Sequence, residues 1–282
     1  MSNSRRQRWR KMKKQQTSKT ELLLQSQELW CINACSRFLN RDSQNSRIWI
    51  LNGKDGEISA LIIQSNQLLL PVLCGRKIPF PHFLCSIFGT VPIHSVQGRK
   101  EDATILECEL EKIGLFAAES NDYDVMCIDH APSGFHSAGP AGLAIRKPQA
   151  ADMDALAALH AAYEQEEVIP AASEFNAAVS RLNTQRIFSK EQMLVAELNG
   201  RLVGKINTNA VSFTRFQIGG VYVHPDYRGL GIARRMAGEF VSDLAAQGRG
   251  ISLFVKKSNV RAHRVYQRIG FEVSGDYRIS YY

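Results

Sequence analysis

The sequence predicts an α/β fold in two domains, and two observations support this prediction. Strand-like apolar runs alternate with segments of helical periodicity along the 282 residues, as expected where helices cover a sheet. A stretch rich in glycine and proline, residues 131–142, interrupts the alternation and is typical of a linker. It separates an N-terminal domain at 20–130 from a C-terminal domain at 143–282, each long enough to enclose a core.

The smaller N-terminal domain is predicted to combine helices and strands, and it has no recognisable cofactor motif. Helices are predicted at 21–39, 79–88 and 101–113. Strands are predicted at 68–73 and 124–129, and a strand, a turn and a second strand are predicted within 47–63. These predicted helices and strands alone do not indicate what the N-terminal domain does.

The C-terminal domain has a more regular pattern. Helices are predicted at 152–167, 173–186, 232–246 and 259–268, and strands at 142–147, 193–198, 202–207, 216–223, 251–256 and 279–282. Asn199-Gly200 favours a two-residue hairpin turn, because both residues tolerate a positive φ. In the second helix Phe175, Val179 and Leu182 have the spacing of one face, and Ser173 is the expected N-cap.

The formal net charge of +8 belongs to a basic tail rather than to the whole chain. Residues 1–19 contain eight basic residues and no acidic one, and the remainder has 27 of each sign. The balanced remainder argues against a globular surface that grips nucleic acid. Three interpretations of the tail stay open: a disordered solvated arm, contact with a polyanion such as RNA or an acidic membrane face, and an organelle-targeting peptide.

Cysteine usage and hydropathy limit the classes of protein to which this chain could belong. All six cysteines fall in the first half without a Cys-x-x-Cys pair, so buried free thiols in a reducing compartment are expected. His82 and Cys85 have the spacing of half a zinc site, but no second pair accompanies them, and no metal is predicted. No apolar run approaches the ~20 residues that span a bilayer. A cytoplasmic protein without a transmembrane segment is therefore expected.

The segment 217–235 is the one that indicates chemistry. It reads Gln-Ile-Gly-Gly-Val-Tyr-Val-His-Pro-Asp-Tyr-Arg-Gly-Leu-Gly-Ile-Ala-Arg-Arg, from a strand through a glycine-bearing loop into a helix. Gly229 and Gly231 allow close approach to the backbone, the helix start favours an anion, and Arg228 adds a charge. A nucleotide-hydrolase phosphate loop would need Gly-Lys-Ser/Thr, and a dinucleotide fingerprint would need glycine in place of Arg234.

The form Arg-Gly-x-Gly-Ile-Ala after Val-x-Pro-x-Tyr resembles the acetyl-CoA loop of the GNAT superfamily of N-acetyltransferases. A second block agrees, because a strand at 252–256 is followed by Asn259, Tyr266 and Gly270-Phe271 in the family's order. The resemblance covers about residues 143–282. It implies a GNAT-type mixed twisted sheet with flanking helices in the C-terminal domain. A diverged GNAT-like half is one interpretation of the smaller α/β N-terminal domain.

The resemblance also implies where acetyl-CoA binds. In the family, amides of this loop hold the CoA pyrophosphate, and the two parallel strands around it splay apart to admit the pantetheine arm. Gly219-Gly220 suits a bulge that begins the splay, and strand N–H groups beyond it would stabilise the thioester oxyanion. The expected cofactor-binding residues are Val221, Tyr222, Val223, Arg228, Gly229, Leu230, Gly231, Ile232, Ala233 and Asn259.

Tyr266 is, by its position in the family's pattern, the candidate acid that protonates the departing thiolate. The alternative is a core tyrosine, because it shares an apolar helical stripe with Val265 and Ile269. Asn259 caps its helix, contacts the cofactor, or does both.

The general base is not evident in the sequence. Many family members place a Glu on the strand before the loop, where this chain has Gly219, Gly220 and Tyr222. The acceptor site is expected near Glu164, Glu166 and Glu167 at a helix end, and these residues would attract a cationic amine or catalyse. An exposed acidic helix end is the alternative, and Glu197 is a weaker candidate.

The sequence thus predicts an N-acetyltransferase that moves an acetyl group from acetyl-CoA to a primary amine, on a small molecule or a peptide, by direct attack on the thioester. One alternative is an acyl-CoA sensor, or a docking module, without turnover. Another is an acetyltransferase for a nucleic-acid-associated or ribosomal substrate, bound through residues 1–19. The acceptor, the acyl chain length and the oligomeric state stay open.

Overall fold

The computed structural model describes residues 9–41, 46–53, 56–75, 92–130, 139–170 and 173–282. Contacts divide the chain into two compact units. The N-terminal unit is Met1–Asp124, Val211–Phe213 and Gly275–Tyr282, and the C-terminal unit is Val125–Ala210 and Thr214–Ser274. This division leaves the C-terminal end of the chain with the N-terminal unit, whereas the sequence analysis assigned it to 143–282. The helix predicted at 79–88, His82, Cys85 and most of the predicted linker lie outside the described residues.

The N-terminal unit is a mixed sheet with flanking helices. Its strands are β1 (Trp9–Lys11), β2 (Arg47–Asn52), β3 (Ile58–Ser65), β4 (Leu68–Val72), β5 (Ser95–Arg99) and parts of β6 (Glu119–Ile128) and β12 (Glu272–Tyr281). Its helices are α1 (Thr17–Ser26), α2 (Ile32–Leu39) and α3 (Lys100–Glu111). The strand order is β1-β2-β3-β4-β5-β12-β6, and β4 and β5 are parallel.

The core of this unit lies on both faces of β3. Ala60 and Ile62 pack in a cluster with Leu106 of α3. Leu61 and Ile63 point to the other face, because successive side chains of a strand alternate, and they join a cluster that includes residues of α1 and α2. Burial on both faces explains why β3 is a nearly continuous apolar run.

The C-terminal unit is also a mixed sheet with helices. Its further strands are β7 (Leu143–Arg146), β8 (Met193–Leu198), β9 (Arg201–Val211), β10 (Arg215–Val223) and β11 (Gly250–Lys256). Its helices are α4 (Met153–Tyr163), a π-helical turn (Glu164–Val168), α5 (Ala177–Lys190), α6 (Ile232–Ala245) and α7 (Val260–Ile269). The strand order is β6-β11-β10-β9-β8-β7, and β10 and β11 are parallel.

The two halves of the chain, β1 to β6 and β7 to β12, repeat one order of elements along the sequence. Each begins with a strand, two helices and three strands, and each ends with a strand, a helix and a strand. The parallel pair β4–β5 of the first unit corresponds to β10–β11 of the second. The position that corresponds to α6 falls in 76–91, outside the described residues. The predicted fold class, a GNAT-type mixed sheet with flanking helices beside a second α/β half, is confirmed.

Two predicted helices differ from the structure. The helix predicted at 21–39 is two helices, α1 and α2, with a short turn at Glu28–Trp30 between them. The helix predicted at 173–186 begins at Ala177, because Asn176 and not Ser173 is its N-cap, accepting a 3.1 Å hydrogen bond from a backbone N–H.

The predicted apolar face of the latter helix is also wrong. Val179 and Leu182 are 52% and 65% exposed. Its buried residues are instead Ser180, Thr184 and Ile187. Small polar side chains there permit close packing, and Thr184 satisfies its hydroxyl on the Ser180 carbonyl at 2.9 Å.

The interpretation of residues 1–19 as a disordered solvated arm is wrong for residues 9–19. Trp9 is only 4% exposed and packs in the core, and β1 pairs antiparallel with β2. Lys19 forms a 2.8 Å ion pair with Glu57. A buried indole and a paired strand hold this segment in place, despite its basic composition. Residues 1–8 lie outside the described part of the chain.

Candidate active site

A cleft opens between β10 and β11, because their parallel ladder ends early. Paired residues run over 215–218 and 250–253, whereas β10 continues to Val223 and β11 to Lys256. The strands part at Gly219 and Gly220, and Gly220 has φ +59, a conformation that favours glycine. Strand N–H groups alternate between two neighbours, so those of residues 221–223 that turn away from β9 face the cleft.

The loop after β10 ends in an open helix start. Gly229 and Gly231 have φ +82 and +78. Gly231 is the N-cap of α6, and among the described residues no side chain caps this helix and no acidic residue lies in its first turn. Its free N–H groups and the positive end of its dipole are therefore open to an anion. Leu230 is exposed, and Ile232, the first residue of α6, is buried.

Arg228 is held by three contacts beside this loop. Its Nε donates to the Val223 carbonyl at 2.9 Å, and its two terminal nitrogens donate to the Glu166 carboxylate at 2.8 and 2.7 Å. The guanidinium also lies 5.3 Å from the centre of the Tyr222 ring. Pairing with Arg228 lowers the pKa of Glu166. Arg228, which was predicted to bind the cofactor, thus pairs with Glu166, which was predicted to lie near the acceptor.

Asn259 links the second predicted block to the same acidic turn. Its Oδ1 accepts a 3.1 Å hydrogen bond from the Ala262 N–H, so it caps α7, and its Nδ2 donates to Glu167 at 3.3 Å. Glu167 is partly buried, and burial raises its pKa, although Lys256 opposes the shift. Burial thus raises the pKa of Glu167, whereas the bond to Arg228 lowers the pKa of Glu166.

Tyr266 lies on α7 near this carboxylate. It is 7% exposed, and its ring meets that of Phe271 edge to face at a centroid distance of 5.9 Å. Burial raises the pKa of the phenol, and the nearby Tyr163 and Glu167 raise it further. The hydroxyl therefore stays protonated near neutral pH and is able to donate a proton.

The third predicted glutamate, Glu164, is turned inward. Its carboxylate lies 3.2 Å from Nε2 of His160 and accepts a 3.2 Å hydrogen bond from Asn183. Burial lowers the pKa of His160 to about 4, so this imidazole is neutral near pH 7. The π-helical turn thus gives the three glutamates three different environments: Glu166 is exposed, as the alternative of an exposed acidic helix end expects, whereas Glu164 and Glu167 are partly buried.

A row of polar side chains on β9, next to the cleft, was not predicted from the sequence. Lys205, Asn207 and Asn209 stand at alternate positions of β9, and the first two are fully buried. Lys205 Nζ donates to the Gly220 carbonyl at 2.9 Å. The available signal was the glycine pair at 219–220, because two glycines in a strand indicate that something approaches closely.

Three further expectations concern a metal site, a membrane-spanning helix and Glu197, and the structure addresses them for the ranges it describes. Within them, no group of three His, Cys, Asp or Glu is arranged to hold a metal ion. No helix in the described ranges is both long and apolar enough to cross a membrane. Glu197, the weaker acceptor candidate, pairs with Arg146 at 2.6 Å.

The mixed sheet with flanking helices, the strand cleft and the open helix start are together typical of an α/β domain of the GNAT type. Residues 156–271 match the model of the acetyltransferase (GNAT) family. Residues 156–271 therefore form a GNAT-type acetyltransferase domain, and acyl transfer from an acyl-CoA is the activity that this family implies. No curated protein matches the chain significantly.

Solved structures extend the likeness to nearly the whole chain. A Drosophila melanogaster protein has TM-score 0.68 and 13% identity, covering 97% of this chain and 98% of its own. A GCN5-related N-acetyltransferase from Sphaerobacter thermophilus has TM-score 0.61 and 22% identity, covering 99% and 96%. A tandem GNAT protein from the clavulanic acid biosynthesis pathway has TM-score 0.56 and 14% identity, covering 97% of each chain. At these identities the likeness shows the fold alone.

Proposed function

We propose that this protein is an N-acetyltransferase that transfers the acetyl group of acetyl-CoA to a primary amine by direct attack on the thioester. The observation that supports it most is the early end of the β10–β11 ladder at residues 218 and 253. That end leaves strand N–H groups facing a cleft, and the open start of α6 lies next along the chain from β10. A thioester and a pyrophosphate need these two kinds of donor.

The residues of the chain divide the chemical work. Amides of residues 221–223 stabilise the negative charge that develops on the thioester oxygen, an effect worth about 10²–10³ in rate. Residues 229–233 hold the pyrophosphate through the helix start. Tyr266 donates a proton to the departing sulfur, because burial keeps its phenol protonated.

Glu167 is the proposed proton acceptor for the incoming amine. Burial raises its pKa towards the pH at which a base and a protonated amine exchange protons readily. Asn259 orients the carboxylate through a 3.3 Å hydrogen bond. Glu167 would then be the general base, in place of the glutamate that many family members have on the strand before the loop.

The pairing of the acidic turn favours a substrate with a single amine over a polyamine. Arg228 already compensates Glu166, and Glu164 faces His160 and Asn183. Glu167 is then the carboxylate left to attract an ammonium group. A polyamine would need further uncompensated carboxylates to bind its other charges.

The experiment is a CoA-release assay with acetyl-CoA across monoamines, amino acids, polyamines, aminoglycosides and peptides. Gly229→Ala tests the loop, and Gly248→Ala is its matched control. Both glycines have positive φ, +82 and +73, and open space around the added methyl group, so the backbone strain is similar.

Gly229→Ala is expected to weaken acetyl-CoA binding at least ~10-fold, because the loop amides shift relative to the pyrophosphate. Gly248→Ala should leave binding unchanged. Binding without CoA release on any amine would favour the sensor alternative, and no binding would refute the proposal. Cytoplasmic location, polyanion contact through the tail and a ribosomal substrate stay predictions.

A further inference from the structure

Lys205 is a buried cation that the chemistry proposed above does not use. Its side chain has no exposed surface. Nζ lies 2.9 Å from the Gly220 carbonyl, 3.4 Å from Oδ1 of Asn207 and 4.5 Å from the centre of the Tyr163 ring. Within the described part of the chain, no carboxylate lies at ion-pair distance. A cation buried in this way is costly, so its position needs a reason.

The lysine stands where β10 leaves β11. The ladder ends at Ile218, and the next two residues pack against the polar row of β9. A methyl group on Gly219 would collide with the Asn209 amide, and one on Gly220 would collide with Asn207 and Lys205. The glycine pair therefore makes room for the side chains of β9.

The hydrogen bond also accounts for the conformation of Gly220. At φ +59 this residue departs from the dihedral angles of a regular strand. Its carbonyl is drawn to the ammonium on the face where Tyr163 of α4 packs. A carbonyl held there is removed from the ladder with β11, and regular pairing cannot resume beyond it.

We propose that Lys205 is a positioning residue that keeps the acyl-CoA cleft open by holding the Gly220 carbonyl out of the β10–β11 ladder. The assignment of the cleft to acyl-CoA rests on the proposed function. The effect of Lys205 on the strands does not, and it is measurable without any ligand. The polar row reaches the surface at Asn209, whose Oδ1 accepts a 3.0 Å hydrogen bond from Nδ2 of Asn207.

The groups that face Lys205 are few. Tyr163 contributes its ring, and Glu164 is the nearby carboxylate that attracts the ammonium. His160 is neutral because burial and Lys205 itself lower its pKa to about 4. Burial lowers the pKa of Lys205 to about 7. The neutral amine retains N–H donors for the Gly220 carbonyl, so the bond persists in both states.

The test compares Lys205→Met with the exposed control Lys190→Met in the full chain. Methionine keeps most of the volume and removes the donor. Amide hydrogen exchange of residues 221–223, measured by NMR without ligand, should slow at least ~10-fold in Lys205→Met, because the ladder with β11 extends. Acetyl-CoA should bind at least ~10-fold more weakly by calorimetry, and kcat should fall while the KM for the amine stays within about 3-fold.

Thermal unfolding separates positioning from a merely structural role. The midpoint of Lys205→Met should stay level or rise, because a buried charge is removed. A lower midpoint with unchanged exchange at 221–223 and unchanged acetyl-CoA affinity would overturn the proposal. If the wild type binds acetyl-CoA but transfers nothing, the proposed function fails while the exchange result still decides the role of Lys205.

A second variant covers the case in which Lys205→Met does not fold. Asn207→Asp preserves side-chain volume and places a carboxylate near Nζ, where it competes with the Gly220 carbonyl for the ammonium. Exchange at 221–223 should slow and acetyl-CoA affinity should fall by a smaller factor, ~3-fold, because the bond is weakened rather than removed. Exchange and affinity equal to those of the wild type would contradict the proposal.

Discussion

At the residue scale, burial sets the protonation of the groups near the cleft. Burial raises the pKa of Tyr266 and of Glu167, and it lowers that of His160 to about 4. Each shift favours the neutral form. A neutral phenol can donate a proton, and a carboxyl with a raised pKa can accept one from an ammonium, so one apolar environment prepares an acid and a base.

Tyr266→Phe should lower kcat about 10²-fold with no change of fold, because it removes only the proposed proton donor. The matched control is Tyr277→Phe in the N-terminal unit, where a fully buried hydroxyl accepts a 3.2 Å hydrogen bond from Asn33. That change should cost about 1 kcal/mol of unfolding free energy and leave kcat unaltered. Steady-state kinetics and denaturant titration measure both, and unchanged turnover in Tyr266→Phe would exclude the acid role.

Glu167→Gln should change the pH profile of kcat/KM. The carboxylate must be ionised to accept a proton, so wild-type activity should rise as the pH passes upward through the raised pKa of Glu167. The variant should lose that rise and at least ~10-fold in kcat/KM. The exposed Glu174→Gln is the control, and a profile identical in all three proteins would show that another group is the base.

At the element scale, the π-helical turn Glu164–Val168 matters because it joins two predicted sites. Such turns are often found at functional positions. Its carboxylates reach the cofactor loop through Arg228 and the start of α7 through Asn259. The acidic turn and the loop are far apart in sequence, and only the packing of the turn in the C-terminal unit brings them together.

Glu166→Gln should tighten acetyl-CoA binding about 3–10-fold at low salt, because Arg228 is freed to pair with a phosphate. The ion pair is partly exposed, so its loss should change stability by less than about 1 kcal/mol. Glu239→Gln is the control, because Glu239 forms a comparably exposed pair with Arg235. Calorimetry at two salt concentrations measures the effect, and weaker binding in Glu166→Gln would show that the pair organises the loop instead.

At the scale of the whole molecule, a repeated order of elements supports two different units. In the described part of the N-terminal unit, the N–H groups of residues 73–75, directly after β4, are bonded by a side chain of the same unit. Asp102 accepts hydrogen bonds from the N–H groups of Leu73, Cys74 and Gly75 at 2.8, 3.3 and 2.9 Å. These donors are therefore not open to a ligand, unlike those at the start of α6.

The chain should therefore bind one acetyl-CoA rather than two. Isothermal titration should give a stoichiometry near 1, and Gly229→Ala should weaken that single event. A second event that survives Gly229→Ala would show that the N-terminal unit also binds the ligand. Gly248→Ala serves as control, because it introduces a similar backbone strain outside the loop, and it should leave the stoichiometry unchanged.

Local features were predictable from the sequence. The Asn199-Gly200 turn has φ +49 and +80 as the hairpin requires, and Asn259 caps α7. Both follow from a few neighbouring residues. Helix ends were less predictable, because Ser173 and Asn176 are both good caps and the structure has Asn176 as the residue that accepts the capping hydrogen bond.

The sequence by itself determined the family of residues 156–271, because a strand, a glycine loop and a helix start expose backbone groups that the local sequence specifies. Tertiary structure decided the environment of each side chain. Alternating polar residues such as Lys205 and Asn207 predict a solvated strand face, yet a glycine pair in β10 and the ring of Tyr163 enclose them. Burial, pairing and pKa depend on residues distant in the chain, and a single sequence does not state which of them meet.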